Sequence, residues 1–218
     1  MKKHIIRYAS FAFAILGMVS CSEEQETALR PQDAKSTPMT FLVSHPGQTT
    51  RATETSFEQN DRIGLYVADA KAQLEIGGNL VNNEALTYNG SKWAAARTLY
   101  WDKGTYTAYA YYPYMEDVSS ITDQPFSVVL DQSTAKSKET LGGYEASDLL
   151  FASSKNISAS ASPIPLNFKH IMSKLKIRLI KGEDFEGDMP TTAQVTIHNT
   201  VPTATIDLQA GVATRYVK

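Results

Sequence analysis

Ala85-Leu86-Thr87-Tyr88-Asn89-Gly90-Ser91-Lys92-Trp93-Ala94 is the stretch that decides the fold. Two runs of strand-forming residues flank Asn89-Gly90, a pair whose members both tolerate positive φ, and such a pair is a strong β-hairpin signal. Outward from it, further strand-like runs recur at short, irregular intervals. They read at residues 62–67 and 98–101, at 105–112, 126–130 and 149–152, and then at 164–168, 175–180, 194–198 and 205–208. In Lys174-Leu175-Lys176-Ile177-Arg178-Leu179 the alternation is clean, with Leu175, Ile177 and Leu179 predicted to face a core and the three cations to face water. No segment keeps a 3.6-residue apolar period, although residues 70–74 could form a helical turn. Many short strands with turn formers between them predict an all-β fold, a β-sandwich. There is no internal repeat and no low-complexity tract.

The run Thr105-Tyr106-Thr107-Ala108-Tyr109-Ala110-Tyr111-Tyr112 carries aromatics on both sides of one strand. Tyr109 and Tyr111 share one face, and Tyr106, Ala108, Ala110 and Tyr112 share the other. Exposed, Tyr109 and Tyr111 with Trp101 could stack on sugar rings as a glycan platform. Packed, they are a strand with two buried faces, which is the commoner use of such a pattern.

The N-terminal end has a different character. A cationic head (Lys2, Lys3, His4, Arg7) precedes an apolar stretch at residues 9–19, too short for the ~18 residues that span a bilayer, and together they read as a secretory signal over residues 1–20. Cys21, the only cysteine, follows Met18-Val19-Ser20, and a thiol at that position reads as a lipid anchor, acylated once it becomes the first residue of the mature chain. The carboxylates of Ser22-Glu23-Glu24-Gln25-Glu26 resemble the surface-export signals of some Gram-negative lipoproteins. Residues 21–38 are polar and hold Pro31 and Pro38, as expected of a flexible tether. Residues 39–43 (Met39-Thr40-Phe41-Leu42-Val43) are the first strand of the domain, and the stretch His45-Pro46-Gly47-Gln48-Thr49-Thr50-Arg51-Ala52-Thr53 then breaks it.

Composition narrows the function. The 218-residue chain carries 21 basic and 23 acidic residues, and loss of the signal takes its net charge from −2 to about −5. That balance, with no basic cluster among the aromatics, argues against a nucleic-acid partner. One cysteine forbids an internal disulfide, and with three scattered histidines (His45, His170, His198) after the signal it falls short of a structural zinc ligand set. No Gly-x-Ser-x-Gly elbow and no glycine-rich loop before a helix is present, so acyl transfer and nucleotide binding lack support and no cofactor is expected. Glu58 and Asp61 could pair as acid and base, but carboxylates near a strand entry are more often turn caps. The expectation is a protein that is not an enzyme.

Several stretches taken in order resemble a known family. They are Cys21, Thr50-Arg51-Ala52-Thr53, Phe57-Glu58-Gln59-Asn60-Asp61-Arg62-Ile63-Gly64-Leu65-Tyr66, Lys92-Trp93, Tyr100-Trp101 and Tyr109-Ala110-Tyr111-Tyr112-Pro113-Tyr114. Ser147-Asp148-Leu149-Leu150-Phe151-Ala152 and Phe168-Lys169-His170-Ile171-Met172-Ser173-Lys174-Leu175 complete the series. Together they resemble the fimbrillins, lipoprotein-precursor subunits of type V pili. The resemblance implies a sandwich of transthyretin-like or immunoglobulin-like Greek-key topology and export as an outer-membrane lipoprotein, on the cell surface and in the fimbrium. It implies cleavage by an Arg-specific protease after an arginine in the loop behind the first strand, for which Arg51 is the matching residue. The released strand (residues 39–43, with Met39, Phe41 and Val43 on one face) would be replaced by a donor strand of another pilin subunit. Members of the family commonly have a second β-domain and a donor segment. Residues 39–199 are therefore expected to form an N-terminal sandwich, and residues 200–218 its closing strand or the start of an incomplete second domain. The expected role is a fimbrial structural or accessory subunit active in adhesion; the alternative is a non-polymerising surface lipoprotein that binds host or bacterial glycans through exposed aromatics.

Overall fold

The computed structural model describes residues 37–47, 56–138 and 140–216. Twelve elements follow in chain order: β1 (Phe41–Ser44), β2 (Arg62–Asp69), β3 (Val81–Tyr88), β4 (Trp93–Ala95), β5 (Thr105–Tyr112), β6 (Gln124–Ser127), α1 (Gly143–Ser147), β7 (Leu150–Ser158), β8 (Ile164–Asn167), β9 (Lys169–His170), β10 (Thr203–Asp207) and β11 (Val212–Arg215). A six-stranded antiparallel sheet in the order β4-β3-β2-β5-β7-β9 is the centre of the molecule. Within it β5-β2-β3-β4 is a Greek key, since three consecutive strands form a meander and the fourth returns beside the first. The fold is an all-β sandwich.

The expected hairpin forms, with Tyr88 opposite Trp93. Its loop is wider than a two-residue turn: Gly90 takes φ +95°, while the Asn89 side chain accepts from the backbone N–H groups of Ser91 (3.0 Å) and Lys92 (2.9 Å). Asn89 thus closes the turn with its side chain and leaves the positive φ to glycine.

Strands β2 and β5 run through the middle of the large sheet and are buried on both faces. One face holds Ile63, Leu65 and Val67 with Ala108, Ala110 and Tyr112, and it packs beneath the two-stranded sheet β1-β8 through Ile164, Leu166 and Met39. The other holds Tyr66, Ala68, Tyr109 and Tyr111, and it packs against Phe126, Ile206 and Leu208 of the three-stranded sheet β11-β10-β6 and its flank. The alternation expected for residues 105–112 is therefore met, with Tyr109 and Tyr111 in one core and Tyr106, Ala108, Ala110 and Tyr112 in the other. Gly64 in β2 has a packing reason: the hydroxyl end of the Tyr111 ring fills the space of a Cβ. Each fully buried Leu or Ile in these cores contributes about 1.5–3 kcal/mol relative to exposure.

Two expected strands are absent. Residues 175–180 and 194–198 have no ladder, and Leu175, Leu179 and Ile180 are 68%, 53% and 75% exposed, with Ile177, Val195 and Ile197 about as open. Alternation says which face a strand would bury, whereas a strand also needs a neighbour for its hydrogen bonds, and among the described residues neither run has a ladder partner. Residues 98–101 make a single bridge, Tyr100 to Pro38, and residues 70–74 form a turn, not a helix. The run at 126–130 is shifted to β6, and its tail is exposed at Leu130. Helix α1 and strands β9 and β11 are not legible as elements in the sequence. Residues 203–207, from the predicted closing segment, pair with β6 and so belong to the smaller sheet.

Candidate functional site at the first strand

β1 is built unlike the rest of the sandwich. It is four residues long and parallel to β8, with Phe41 opposite Ile164 and Val43 opposite Leu166. Met39, Phe41 and Val43 point inward and Thr40, Leu42 and Ser44 outward, as the sequence pattern predicts. Only Met39 is fully buried; Phe41 and Val43 are half-buried, and Leu42 is 63% exposed.

Hydrogen bonds hold this segment along both edges. On one side Met39 N–H donates to the Leu99 carbonyl (2.8 Å), and Trp101 N–H donates to that of Thr37 (3.0 Å). On the other, Ile164 and Phe168 donate to the carbonyls of Thr40 (2.8 Å) and Ser44 (3.0 Å), while Ser44 Oγ reaches Asn167 Oδ1 at 2.6 Å. The floor of the slot is apolar, formed by Ile164, Leu166, Trp101 and the large-sheet residues of the same core. Backbone bonds thus supply most of the register, and alternate side chains enter the core, the two components of recognition by strand addition.

Where β1 ends, polar and aromatic groups gather. His45 packs edge-on against Phe57 (centroids 4.8 Å apart) and lies 6.0 Å from His170, whose Nδ1 is 2.7 Å from Asp148 Oδ1. Burial, and next the charge of His170, hold His45 below its ordinary value of 6.5, against the smaller opposing influence of Asp148 and Asp61. Phe57 also meets Trp93, Tyr112 and Phe168 edge-on, so it is clamped by four aromatic rings, His45 among them. Beside them Lys136 Nζ contacts Asp61 Oδ1 (2.5 Å) and Glu58 Oε2 (3.2 Å). Burial pulls Lys136 down, but Asp61 and then Glu58 hold it above its usual value.

The predicted site residues divide by location. Cys21 and Arg51 both lie outside the described residues. Glu58 and Asp61 are brought together, but Asp61 is buried and its Oδ2 accepts from the Glu58 N–H (2.7 Å), so it caps the turn and binds Lys136. Tyr109, Tyr111 and Trp101 do not make an exposed platform, which corrects that expectation. They are 9%, 2% and 1% exposed, Trp101 Nε1 donates to the Ser160 carbonyl (3.1 Å), and Tyr111 Oη donates to Asn83 Oδ1 (2.5 Å). Their rings are worth more in the cores than at the surface, because a strand between two layers has no solvent face. Sequence reasoning missed His45, His170 and Lys136; a lone histidine just beyond the first strand was the one available signal.

Comparison with known proteins extends these observations. A fimbrium tip subunit by name, Fim1C of Bacteroides ovatus, is 26% identical over 198 residues, covering 82% of this chain and 36% of its own length. The chain thus spans about a third of that curated relative. Among solved structures, one described as a cell adhesion protein from Bacteroides uniformis superposes with TM-score 0.58 at 20% identity, covering 87% of this chain and 68% of the other. A second so described, from Bacteroides ovatus, gives 0.51 at 18% identity over 83% and 67%. At these identities the likeness establishes the fold. A sequence profile described as fimbrillin-like matches residues 50–218, most of the chain, and with the series of motifs from Phe57 to Leu175 it identifies this protein as a member of the fimbrillin-like family.

Proposed function

We propose that this chain is a fimbrial subunit delivered in a blocked form, in which β1 occupies the slot that a strand of another subunit later fills. The observation that carries the reading is the construction of the segment 37–44, which contains β1: short, open on one face, joined through backbone bonds at residues 37–39 on one edge and at residues 40–44 on the other, and seated on an apolar floor. Such a strand is replaceable by any extended segment that offers apolar side chains at alternate positions, because main-chain bonds are indifferent to sequence. In this reading Cys21 carries the lipid that brings the precursor to the outer membrane. Cleavage after Arg51 then frees everything before it, anchor and β1 together. The role is structural, in assembly and adhesion at the cell surface, and Glu58 and Asp61 serve the turn instead of a reaction.

The test treats the purified chain with an Arg-specific protease and follows it by intact mass and size-exclusion chromatography. A single early cut after Arg51, followed by loss of residues before it and by strand-dependent association with a synthetic donor peptide or a second subunit, is the expected outcome. Arg51→Ala should block both steps. Cleavage at other arginines first, or retention of β1 after the cut with no gain in association, would sink the proposal.

A further inference from the structure

We infer that residues 175–189 form an interface between two copies of this chain, paired antiparallel about a twofold axis at Gly182. Among the described residues this stretch has no ladder partner, and all of it is exposed. Its charges are sorted by position: Lys176, Arg178 and Lys181 precede Gly182, and Glu183, Asp184, Glu186 and Asp188 follow it. None of these side chains has an ion-pair partner among the described residues.

An antiparallel pair of identical segments is symmetric, so residue 182 − n of one copy lies opposite residue 182 + n of the other. Lys181 then faces Glu183, Arg178 faces Glu186 and Lys176 faces Asp188, and each pair occurs twice. Leu175, Ile177 and Leu179 share one face, where Leu179 meets Phe185 and Leu175 meets Met189. Gly182 meets itself on the axis and brings no side chain to clash. Only Ile180, opposite Asp184, is mismatched. Opposite charges directly across a ladder stabilise it and like charges weaken it, so this pattern selects both a partner and a register.

The turn that the chain makes on its own sets a different register. Phe185 N–H donates to the Gly182 carbonyl at 3.2 Å, and Lys181 Nζ donates to that of Gly187 at 2.6 Å. A hairpin continued from that turn would pair Arg178 with Met189, Lys176 with Thr191 and Ile177 with Pro190, and would join only Lys181 to a carboxylate, Glu186. A second copy answers the charges that the turn leaves unanswered. Gly187, at φ +95°, has no side chain to resist the change to extended backbone, and Pro190, without an N–H, bounds the ladder.

A two-stranded ladder is marginal in water, so the association is weak, with a dissociation constant of about 10⁻⁵–10⁻³ M. At the low concentrations of an unfolding experiment the chain is then monomeric. The interface lies on a different segment from β1 and needs no cleavage, so its failure would leave the strand-release reading standing, and the reverse.

The experiment is sedimentation equilibrium of the uncleaved chain up to about 1 mM, which should show a reversible dimer that weakens as salt is raised. Lys176→Glu/Arg178→Glu and Glu186→Lys/Asp188→Lys should each weaken self-association by about tenfold or more at unchanged melting temperature. An equimolar mixture of the two should regain it as a heterodimer, because all of the altered pairs are then matched between copies. Lys92→Glu/Lys155→Glu makes the same change in net charge as the first variant and should dimerise like the parent. Register is read by oxidation in a Cys21→Ser background. Gly182→Cys should give a disulfide-linked dimer, since open space surrounds its Cβ position, and Ile177→Cys should not. A monomer at about 1 mM, full self-association in either charge variant, no recovery on mixing, or equal cross-linking at 177 and 182 overturns the proposal.

Discussion

β5 and β1 are both strands of one sandwich, yet they are held in opposite ways. β5 is eight residues long, pairs with β2 and β7, and buries side chains on both faces, so it belongs to two cores at once. β1 is half that length, buries one face only in part, and leaves Leu42 in water. Side-chain packing fixes the first, and backbone bonds fix much of the second. This division suits the proposed exchange of one strand in a kept frame, because core packing is specific to sequence and main-chain bonding is not.

The comparison breaks if the two strands respond alike to truncation. Leu65→Ala, in β2 beside β5, removes a fully buried side chain from the frame and should cost about 2–5 kcal/mol in urea unfolding. Phe41→Ala removes a half-buried ring from β1 and should cost about 1–2 kcal/mol, less than the ~3–5 of a fully buried aromatic. Equal losses would mean that β1 is as much a part of the frame as β5.

A smaller effect is expected from pH. His45 is held below 6.5 in the folded state, so at higher pH it is neutral both folded and unfolded, and the fold has its full stability. As pH falls below 6.5 the unfolded chain takes up the proton first, and stability declines until the folded-state value is passed. Unfolding midpoints measured between pH 8 and 5 should fall on the acid side, and His45→Phe should flatten that slope. A slope unchanged in His45→Phe would detach the histidine from the hold on β1.

The smallest effect is expected in the open segment. Ile177→Thr should alter stability by no more than about 0.5 kcal/mol, since Ile177 is 47% exposed and outside both cores. A loss near that of Phe41→Ala would show that residues 175–180 pack in solution.

The sequence was readable wherever pattern and neighbours agreed. Residues 105–112 were placed to the residue, because tyrosine and alanine alternate in register with two real layers. Leu175, Ile177 and Leu179 alternate just as well, and the structure leaves them exposed; the pattern cannot say whether a partner strand is at hand. The two-residue strand β9 was too short for periodicity to register. At the site, Met39, Phe41 and Val43 declared their common face in advance. Lys136 did not, since its partners Asp61 and Glu58 lie more than seventy residues earlier and only the fold brings them together. The tyrosines left two readings open for a related reason. An aromatic strand between two sheets has the same composition as an aromatic binding platform, and only burial tells them apart.

The stitching of residues 37–44 on two edges has a consequence in time. Its modest burial makes the equilibrium for departure lenient, but leaving breaks the bonds of residues 37–39 to Leu99 and Trp101 as well as those of residues 40–44 to β8. A strand held in this way leaves slowly even where leaving is nearly neutral in free energy, so its persistence is set by a barrier. In the assembly proposed above, its residence in the slot would then be a delay, with no need for tight binding.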